Sequence, residues 1–198
     1  MASNPYASQR YWRERSDMIY YRYIDYMVRC VGKDAQRMLD VGSGNCPYPE
    51  WFDWIETRIS VDIRVPYASD KVQGIQGDIH ELDLGEPFDL VTCFQVLEHV
   101  PDATRFARRL LDLGRLLMVS VPYNWPTEPP TPGHVHDPVS DAKLDDWMGR
   151  EANYKMVVRE PFSGPKGARL IAFYDENPKR KFNSALAKGR RIRMGDGL

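Results

Sequence analysis

Residues 39–45 have the sequence Leu-Asp-Val-Gly-Ser-Gly-Asn, and this stretch decides the predicted fold. The apolar run 37–41 has the length of a buried strand, and the segment 47–55, which opens Pro-Tyr-Pro and continues with aromatics, suits a helix start. Glycines in a strand-to-helix turn let the backbone approach a ligand closely, and helix amides then face that ligand. The stretch therefore predicts a nucleotide-like ligand at the end of the first strand.

Outward from this turn, short apolar runs alternate with helical patterns. The spacing of apolar residues predicts a leading helix over 11–31, a helix that Asp102 caps and a helix that Ser140 caps. Segment 64–72 contains Pro66 and is too short for a full crossover helix, so we expect an abbreviated loop there. Alternating strands and helices predict a parallel α/β sheet with a closing hairpin-like pair. The predicted strands after the first are 59–63, 74–79, 88–95, 115–121, 155–161 and 168–174.

The domain organisation follows from length and from the change in composition near the end. At 198 residues with 42% hydrophobic content, the chain suits one core. We expect a single domain over 1–177, in which 1–32 form an N-terminal lid helix region. Residues 178–198 are polar and basic without an apolar pattern, which predicts a flexible tail.

Composition also limits the partners. A formal net charge of -1 and a pI near 6.4 provide no basic field for phosphate backbones, so we do not expect nucleic acid as the partner. No apolar run approaches the length of a membrane span, and we expect neither a membrane partner nor a leader. The three cysteines lack CxxC spacing, which is typical of reduced thiols and predicts a cytoplasmic protein.

A dinucleotide-binding fold is the first alternative for the glycine turn. It requires G-x-G-x-x-G and an acid about 20 residues further on, and Asp62 lies at that distance. However, Pro47 occupies the third glycine position, and Asp40 directly precedes Val41 and the first glycine, where dinucleotide folds seldom place an acid. The glycine turn alone is weak evidence for any particular ligand.

The ordered series of motifs is more specific than the turn. LDVGSGNCPYPEWF, SVDI, QGDIHEL, FDLVTCFQVLEHVPD and RLLMVSVP together resemble, in order and spacing, the motifs of class I S-adenosylmethionine-dependent methyltransferases over roughly residues 35 to 175. The small-molecule branch is the most similar. The resemblance implies a doubly wound, Rossmann-like α/β sheet of seven strands, the last one antiparallel, with S-adenosylmethionine as cofactor.

The resemblance also implies which residues bind the methionine and ribose parts of the cofactor. Gly42, Ser43 and Gly44 would lie under the methionine part, while Asp40 orders the turn or approaches the amino group. Asp62 would accept both ribose hydroxyls through charge-assisted hydrogen bonds. Without the resemblance, the two acids would be interpreted as ordinary turn residues at strand ends. Gln95 and Val96 would lie along the ribose and methionine.

The adenine side is assigned in the same way. Asp78 would face the adenine amino group, with the Ile79 amide at the ring nitrogen and His80 nearby. Ile63, directly after Asp62, is included among the cofactor-binding residues. Leading helices of relatives cover the cofactor, which assigns that role to Tyr6, Tyr11 and Trp12, although aromatics at helical spacing more often only bury area.

The acceptor side is predicted from histidines at the mouth of the sheet. Methyl transfer requires alignment and, for a hydroxyl or ammonium acceptor, removal of a proton. His99, His134 and His136 are the candidate bases, since a histidine accepts a proton at neutral pH. For His99, a backbone-bonded residue at a helix start is an equal alternative. Nearby, Tyr123, Asn124, Trp125 and Trp147 suggest a half-apolar acceptor pocket.

A metal site in the loop 132–138 is the remaining alternative for these histidines. His134, His136 and Asp137 supply three potential ligands at HxHD spacing. Methyltransferases that use a divalent ion hold it mainly with carboxylates, and hard ions prefer oxygen. We therefore expect no metal at this loop.

Together these patterns predict an enzyme that methylates oxygen or nitrogen of a small-molecule acceptor such as a sugar, a polyketide or an aromatic metabolite. Two alternatives stay open: methylation of protein or RNA, which only the basic tail favours, and a non-catalytic S-adenosylmethionine-binding module. A homodimer is one assembly compatible with these expectations.

Overall fold

The computed structural model describes residues 8–192, and its centre is one seven-stranded sheet in the order β3-β2-β1-β4-β5-β7-β6. β1 to β5 pair in parallel, whereas β7 is antiparallel to both β5 and β6. The doubly wound sheet and its antiparallel end are thus confirmed. The strands are β1 Arg37–Val41, β2 Thr57–Asp62, β3 Gln73–Gln76, β4 Leu90–Phe94, β5 Leu116–Pro122, β6 Tyr154–Arg159 and β7 Ala168–Asp175.

Two apolar layers cover the sheet. Side chains alternate along each strand, so Leu39 packs on one face and Met38 on the other. The first layer includes helices α3 (Ala103–Asp112) and α4 (Asp141–Met148), and the second includes α2 (Ile19–Val31). β1, β4 and β5 are buried on both faces, as their continuous apolar sequences predict.

The leading segment is two helices, not the single helix predicted over 11–31. α1 spans Gln9–Arg13, and α2 begins only at Ile19. The break has a tertiary cause, because the carboxylate of Glu160 accepts hydrogen bonds from the amides of Ile19 (3.1 Å) and Tyr20 (2.7 Å). These are orphan donors of the first turn of α2. Sequence periodicity could not detect a cap that comes from a residue so distant in the chain.

The predicted helix 47–55 is also shorter than expected, as only a 3-10 turn forms over Tyr48–Trp51. Its Tyr48 side chain is buried and donates a hydrogen bond to Asp40. By contrast, the helices that Asp102 and Ser140 cap form as predicted, and both side chains accept an amide hydrogen bond. Residues 64–72 form no helix, in agreement with the predicted loop.

The described part of the basic tail, 178–192, lies against the domain. It contains helix α5 (Ser184–Lys188), and the ring of Phe182 stacks on Tyr154 with 6.2 Å between centroids. Arg191 donates from Nε to the carbonyl of Lys33 at 2.6 Å. The flexibility of the tail stays a prediction. Among the described helices, none combines the length and apolar character needed to cross a membrane.

Candidate active site

The glycine turn after β1 has a backbone shape that few residues tolerate. Gly42, Gly44 and Asn45 have positive φ values of 80°, 53° and 65°. A Cβ at position 42 would lie 2.4 Å from Cγ2 of Val96, which follows β4. Gly42 and Val96, both predicted to border the cofactor, are therefore packed against each other, and only glycine fits.

Asp40 lies at the centre of a buried polar network beneath this turn. Its Oδ1 accepts hydrogen bonds from the hydroxyls of Tyr48 and Thr92, the latter at 2.8 Å. Its Oδ2 has no hydrogen-bond partner among residues 8–192. Burial raises the pKa of Asp40 to about 7, so its charge is readily changed by a nearby ion. The two hydroxyl donors accommodate a buried acid two residues before the first glycine.

Asp62, at the end of β2, ties three backbone segments together. Its Oδ2 accepts from the amide of Gly44 at 3.0 Å, and its Oδ1 accepts from the amides of Arg64 (2.7 Å) and Val65 (3.0 Å). An ionised carboxylate has about four acceptor sites, so about one remains. In this conformation the side chain can accept one further hydroxyl, whereas the predicted role needed two. Next to it the side chain of Ile63 is 64% exposed.

The third predicted acid, Asp78, begins a turn after β3. Its Oδ1 accepts from the amide of His80 at 2.9 Å, and the imidazole of His80 packs edge-on against Phe106. Ile79, which lies between Asp78 and His80 in the sequence, is buried. Its carbonyl accepts a hydrogen bond from Nε of Arg109 at 3.1 Å. Asp62 and Asp78 thus follow neighbouring parallel strands at one edge of the sheet.

Gln95 follows β4 with a positive φ of 58°. Its Nε2 donates to the hydroxyl of Ser120 at 3.1 Å, and Ser120 also bonds to the buried hydroxyl of Tyr20. Tyr20 was not among the residues predicted from the sequence to line the site. Because Tyr20 lies at the helical spacing of apolar residues in α2, the sequence indicated only that it belongs to the core.

The N-terminal helix lies over the glycine turn, as a lid would. Trp12 donates from Nε1 to the carbonyl of Gly44 at 2.9 Å. Tyr11 packs edge-on against Trp12 at 4.9 Å, and the guanidinium of Arg15 lies 3.6 Å from the Tyr11 ring centroid. Trp12 therefore contacts the turn directly and Tyr11 lies behind it, while the predicted lid residue Tyr6 falls outside the described residues.

On the acceptor side, the loop after β5 meets the 3-10 turn after β4. The rings of His99 and His134 are in edge-to-face contact at 4.7 Å, and His134 stacks on Trp125 at 5.5 Å. Nδ1 of His134 lies 2.8 Å from Oδ2 of Asp137, and Nδ1 of His99 lies 2.8 Å from the carbonyl of Gly133. Burial lowers the pKa of His134 despite the opposing carboxylate. Two of the three predicted histidines, His99 and His134, are thus in contact.

His136 lies apart from this pair. Its Nε2 is 2.8 Å from the carbonyl of Val100, and its ring packs against Trp147, which belongs to the apolar core. Lys143 donates to the carbonyl of His136 at 2.6 Å. His136 and Trp147 thus connect the loop to the apolar core.

Glu98 had no predicted role in the site. Its side chain is 1% exposed, and Oε2 has no hydrogen-bond partner among the residues that the structure describes. Burial raises its pKa to about 8. One ligand atom each from Glu98, His99 and His134 lie within 4.8 Å of one another. The Glu-His pair was visible in the sequence, but its contact with a loop 35 residues later was not.

Comparisons with known proteins identify the family of the chain. Residues 11–164, well over half of the chain, match the family model described as a methyltransferase domain. Probable S-adenosylmethionine-dependent methyltransferases from two strains of Mycobacterium tuberculosis are 32% identical over 128 residues, which cover 58% of this chain. The chain spans less than half of these relatives, as the match covers 43% of their length.

Solved structures with the same fold include three methyltransferases. N-methyltransferase NodS from Bradyrhizobium japonicum, in complex with S-adenosyl-L-homocysteine, has a TM-score of 0.67 at 14% identity and covers 87% of this chain and 98% of NodS. Magnesium protoporphyrin IX methyltransferase from Synechocystis has a TM-score of 0.54 at 16% identity, covering 78% and 82%. The small RNA methyltransferase HEN1 has a TM-score of 0.57 at 18% identity, covering 83% and 26%.

These structures are similar in fold and share little sequence with this chain, so they support the fold alone. The family is established by the match to the model over the segment that contains the glycine turn, the strand-end acids and the histidine pair. The chain belongs to the methyltransferase domain family and has its class I, Rossmann-like fold.

Proposed function

We propose that this chain transfers the methyl group of S-adenosylmethionine to an oxygen or nitrogen atom of a small molecule. The observation that carries the proposal is the grouping at one edge of the sheet. Asp40 and Asp62 lie at the carboxyl ends of β1 and β2, and Asp78 lies just after β3. Two histidines in contact, His99 and His134, lie beyond the ends of β4 and β5. Ligands of open α/β sheets bind at this edge. When bound, the cofactor supplies a methyl group already activated by its sulfonium.

The residues around the glycine turn fit the methionine and ribose parts of this cofactor. The unpartnered Oδ2 of Asp40 and the raised pKa of its carboxyl suit an ammonium or sulfonium nearby, which would stabilise the charged form. Asp62 keeps about one acceptor site for a ribose hydroxyl. Gly42, Ser43 and Gly44 would lie beneath the methionine part, with Gln95 and Val96 alongside.

The adenine ring would occupy the edge near β3. The exposed side chain of Ile63 offers an apolar face, and Asp78 offers a carboxylate to the exocyclic amine. The Ile79 amide and His80 complete this part of the proposed site. Trp12, bonded to the carbonyl of Gly44, would cover the cofactor and exclude water, with Tyr11 behind it.

His99 and His134 are the proposed catalytic residues on the acceptor side. Since carbonyl and carboxylate oxygens accept hydrogen bonds, each imidazole donates from Nδ1, which leaves the Nε2 lone pair available. Trp125 stacks on His134 and offers a flat apolar surface to a ring. A histidine pair and an aromatic ring beside it, in a chain with a formal net charge of -1, favour a compact acceptor over RNA.

The experiment is transfer of labelled methyl from S-adenosylmethionine to a panel of hydroxylated and aminated metabolites, with bulk RNA and protein as separate arms. We expect label in at least one small molecule and a loss of about 100-fold in His134→Ala. Label confined to RNA or protein would overturn the acceptor class. Cofactor binding with no transfer to any arm would favour the binding-module alternative.

A further inference from the structure

We propose that Glu98, His99 and His134 form a binding site for one divalent transition-metal cation, with Zn²⁺ as the reference ion. This differs from the sequence expectation of no metal, and from the HxHD set of His134, His136 and Asp137. The inference rests on the geometry of these side chains and does not depend on the proposed methyl transfer.

The three side chains converge from two separate segments. Glu98 and His99 lie in the 3-10 turn Leu97–His99 after β4, and His134 lies in the loop after β5. One potential ligand atom from each lies within 4.8 Å of the other two. Ligand atoms about 2.1 Å from a zinc ion are about 3.4 Å apart in a tetrahedral site, so small side-chain rotations would close the cluster.

The hydrogen bonds of both imidazoles determine which nitrogen can bind an ion. The carbonyl of Gly133 can only accept, so Nδ1 of His99 carries the proton in their 2.8 Å contact. Nδ1 of His134 likewise donates to the carboxylate of Asp137 at 2.8 Å. In both rings the Nε2 lone pair is therefore available. A histidine that donates its second nitrogen to a carboxylate or carbonyl is the usual arrangement at metal sites.

Glu98 supplies an independent reason for a cation. A carboxylate that is 1% exposed is costly to ionise unless it is paired, and Oε2 lacks a hydrogen-bond partner among residues 8–192. Its Oε1 lies 4.0 Å from Nε2 of His99, beyond hydrogen-bond distance. A cation between Glu98 and the two imidazoles would bind a carboxylate oxygen of Glu98 and the Nε2 lone pairs of His99 and His134 at once.

The donor set limits the kind of ion. Two imidazoles and one carboxylate suit Zn²⁺, Fe²⁺ or Mn²⁺ better than Mg²⁺ or Ca²⁺, which prefer oxygen ligands. Three protein ligands leave at least one coordination position for an oxygen of water or of the acceptor, as in catalytic zinc sites. If the proposed function holds, Nε2 of His99 and of His134 would be ligands rather than bases whenever the ion is bound. The ion would then lower the pKa of an acceptor hydroxyl that binds it, and the proton of that hydroxyl would pass to solvent.

The test is calorimetric titration of ZnCl₂ into the full chain after chelator treatment and dialysis. We expect one equivalent to bind to the wild type, and binding about tenfold or more weaker in Glu98→Gln and in His134→Ala. His136→Gln is the matched control, because it keeps a donor for the carbonyl of Val100 in the same loop and should bind Zn²⁺ as the wild type does.

Two outcomes would overturn the proposal: no stoichiometric binding to the wild type, or equal affinity in the wild type, Glu98→Gln and His134→Ala. An equal loss in His136→Gln would also overturn it and return the site to the HxHD set. Circular dichroism before titration checks that each variant is folded. Because this readout uses the metal alone, an absence of methyl transfer would contradict the proposed function without affecting the metal site.

Discussion

At position 42 two effects coincide, since the backbone has a positive φ of 80° and a Cβ would lie 2.4 Å from Val96. We expect Gly42→Ala to lower the affinity for S-adenosylmethionine at least about tenfold and to destabilise the fold by about 2 kcal/mol. Gly85→Ala is the matched control, as its φ is 72° but nothing lies within 4 Å of the added carbon.

Gly85→Ala should lower the free energy of unfolding by about 1 kcal/mol and leave the affinity for S-adenosylmethionine unchanged. Calorimetry and chemical denaturation measure the two effects. Equal losses in both alanine variants would mean that backbone conformation alone, and not contact with Val96, requires glycine at position 42.

The carboxyl of Asp40 should make cofactor binding depend on pH. Its pKa is raised to about 7 by burial, and a nearby cation would lower it, so binding would release about half a proton at pH 7. Affinity should then rise from pH 5.5 to pH 8, and the rise should be absent in Asp40→Asn. Calorimetry in buffers of different ionisation enthalpy measures the proton count, and a count of zero would place the cofactor's charge elsewhere.

At the scale of elements, the carboxylate of Glu160 connects the loop after β6 to the start of α2. Glu160→Ala removes the acceptor for the amides of Ile19 and Tyr20, and we expect the free energy of unfolding to fall by about 1 kcal/mol. The control is Glu151→Ala, which removes an exposed acid and should change the free energy of unfolding by less than about 0.5 kcal/mol. Chemical denaturation compares them, and indistinguishable midpoints would leave the break between α1 and α2 unexplained.

Elements whose cause is local were predictable from the sequence. Uninterrupted apolar runs marked β1, β4 and β5, and Asp102 and Ser140 marked helix starts, because strand burial and capping depend on adjacent residues. The break before Ile19 and the short turn at Tyr48 were not predictable. Their causes, a distant carboxylate and a buried hydroxyl, are contacts that only the folded chain brings together.

The same distinction holds for the site. The strand-end acids and the glycine turn could be found because several motifs in a fixed order seldom occur together by chance. The proximity of Glu98 to His134 could not be predicted, since it requires the loop after β5 to fold back over the turn after β4. His134 and His136 were both candidate bases from the sequence, and their hydrogen-bond partners, Asp137 and Val100, distinguish the surroundings of the two rings.

For the whole molecule, the sheet order brings the ends of β1, β2 and β4 side by side, and we expect S-adenosylmethionine to bind at this edge. Calorimetric titration of the full chain with S-adenosylmethionine and, separately, with NAD tests this most directly. We predict one-to-one binding of S-adenosylmethionine and no binding of NAD. Binding of NAD, or no binding of S-adenosylmethionine by folded protein, would contradict this assignment.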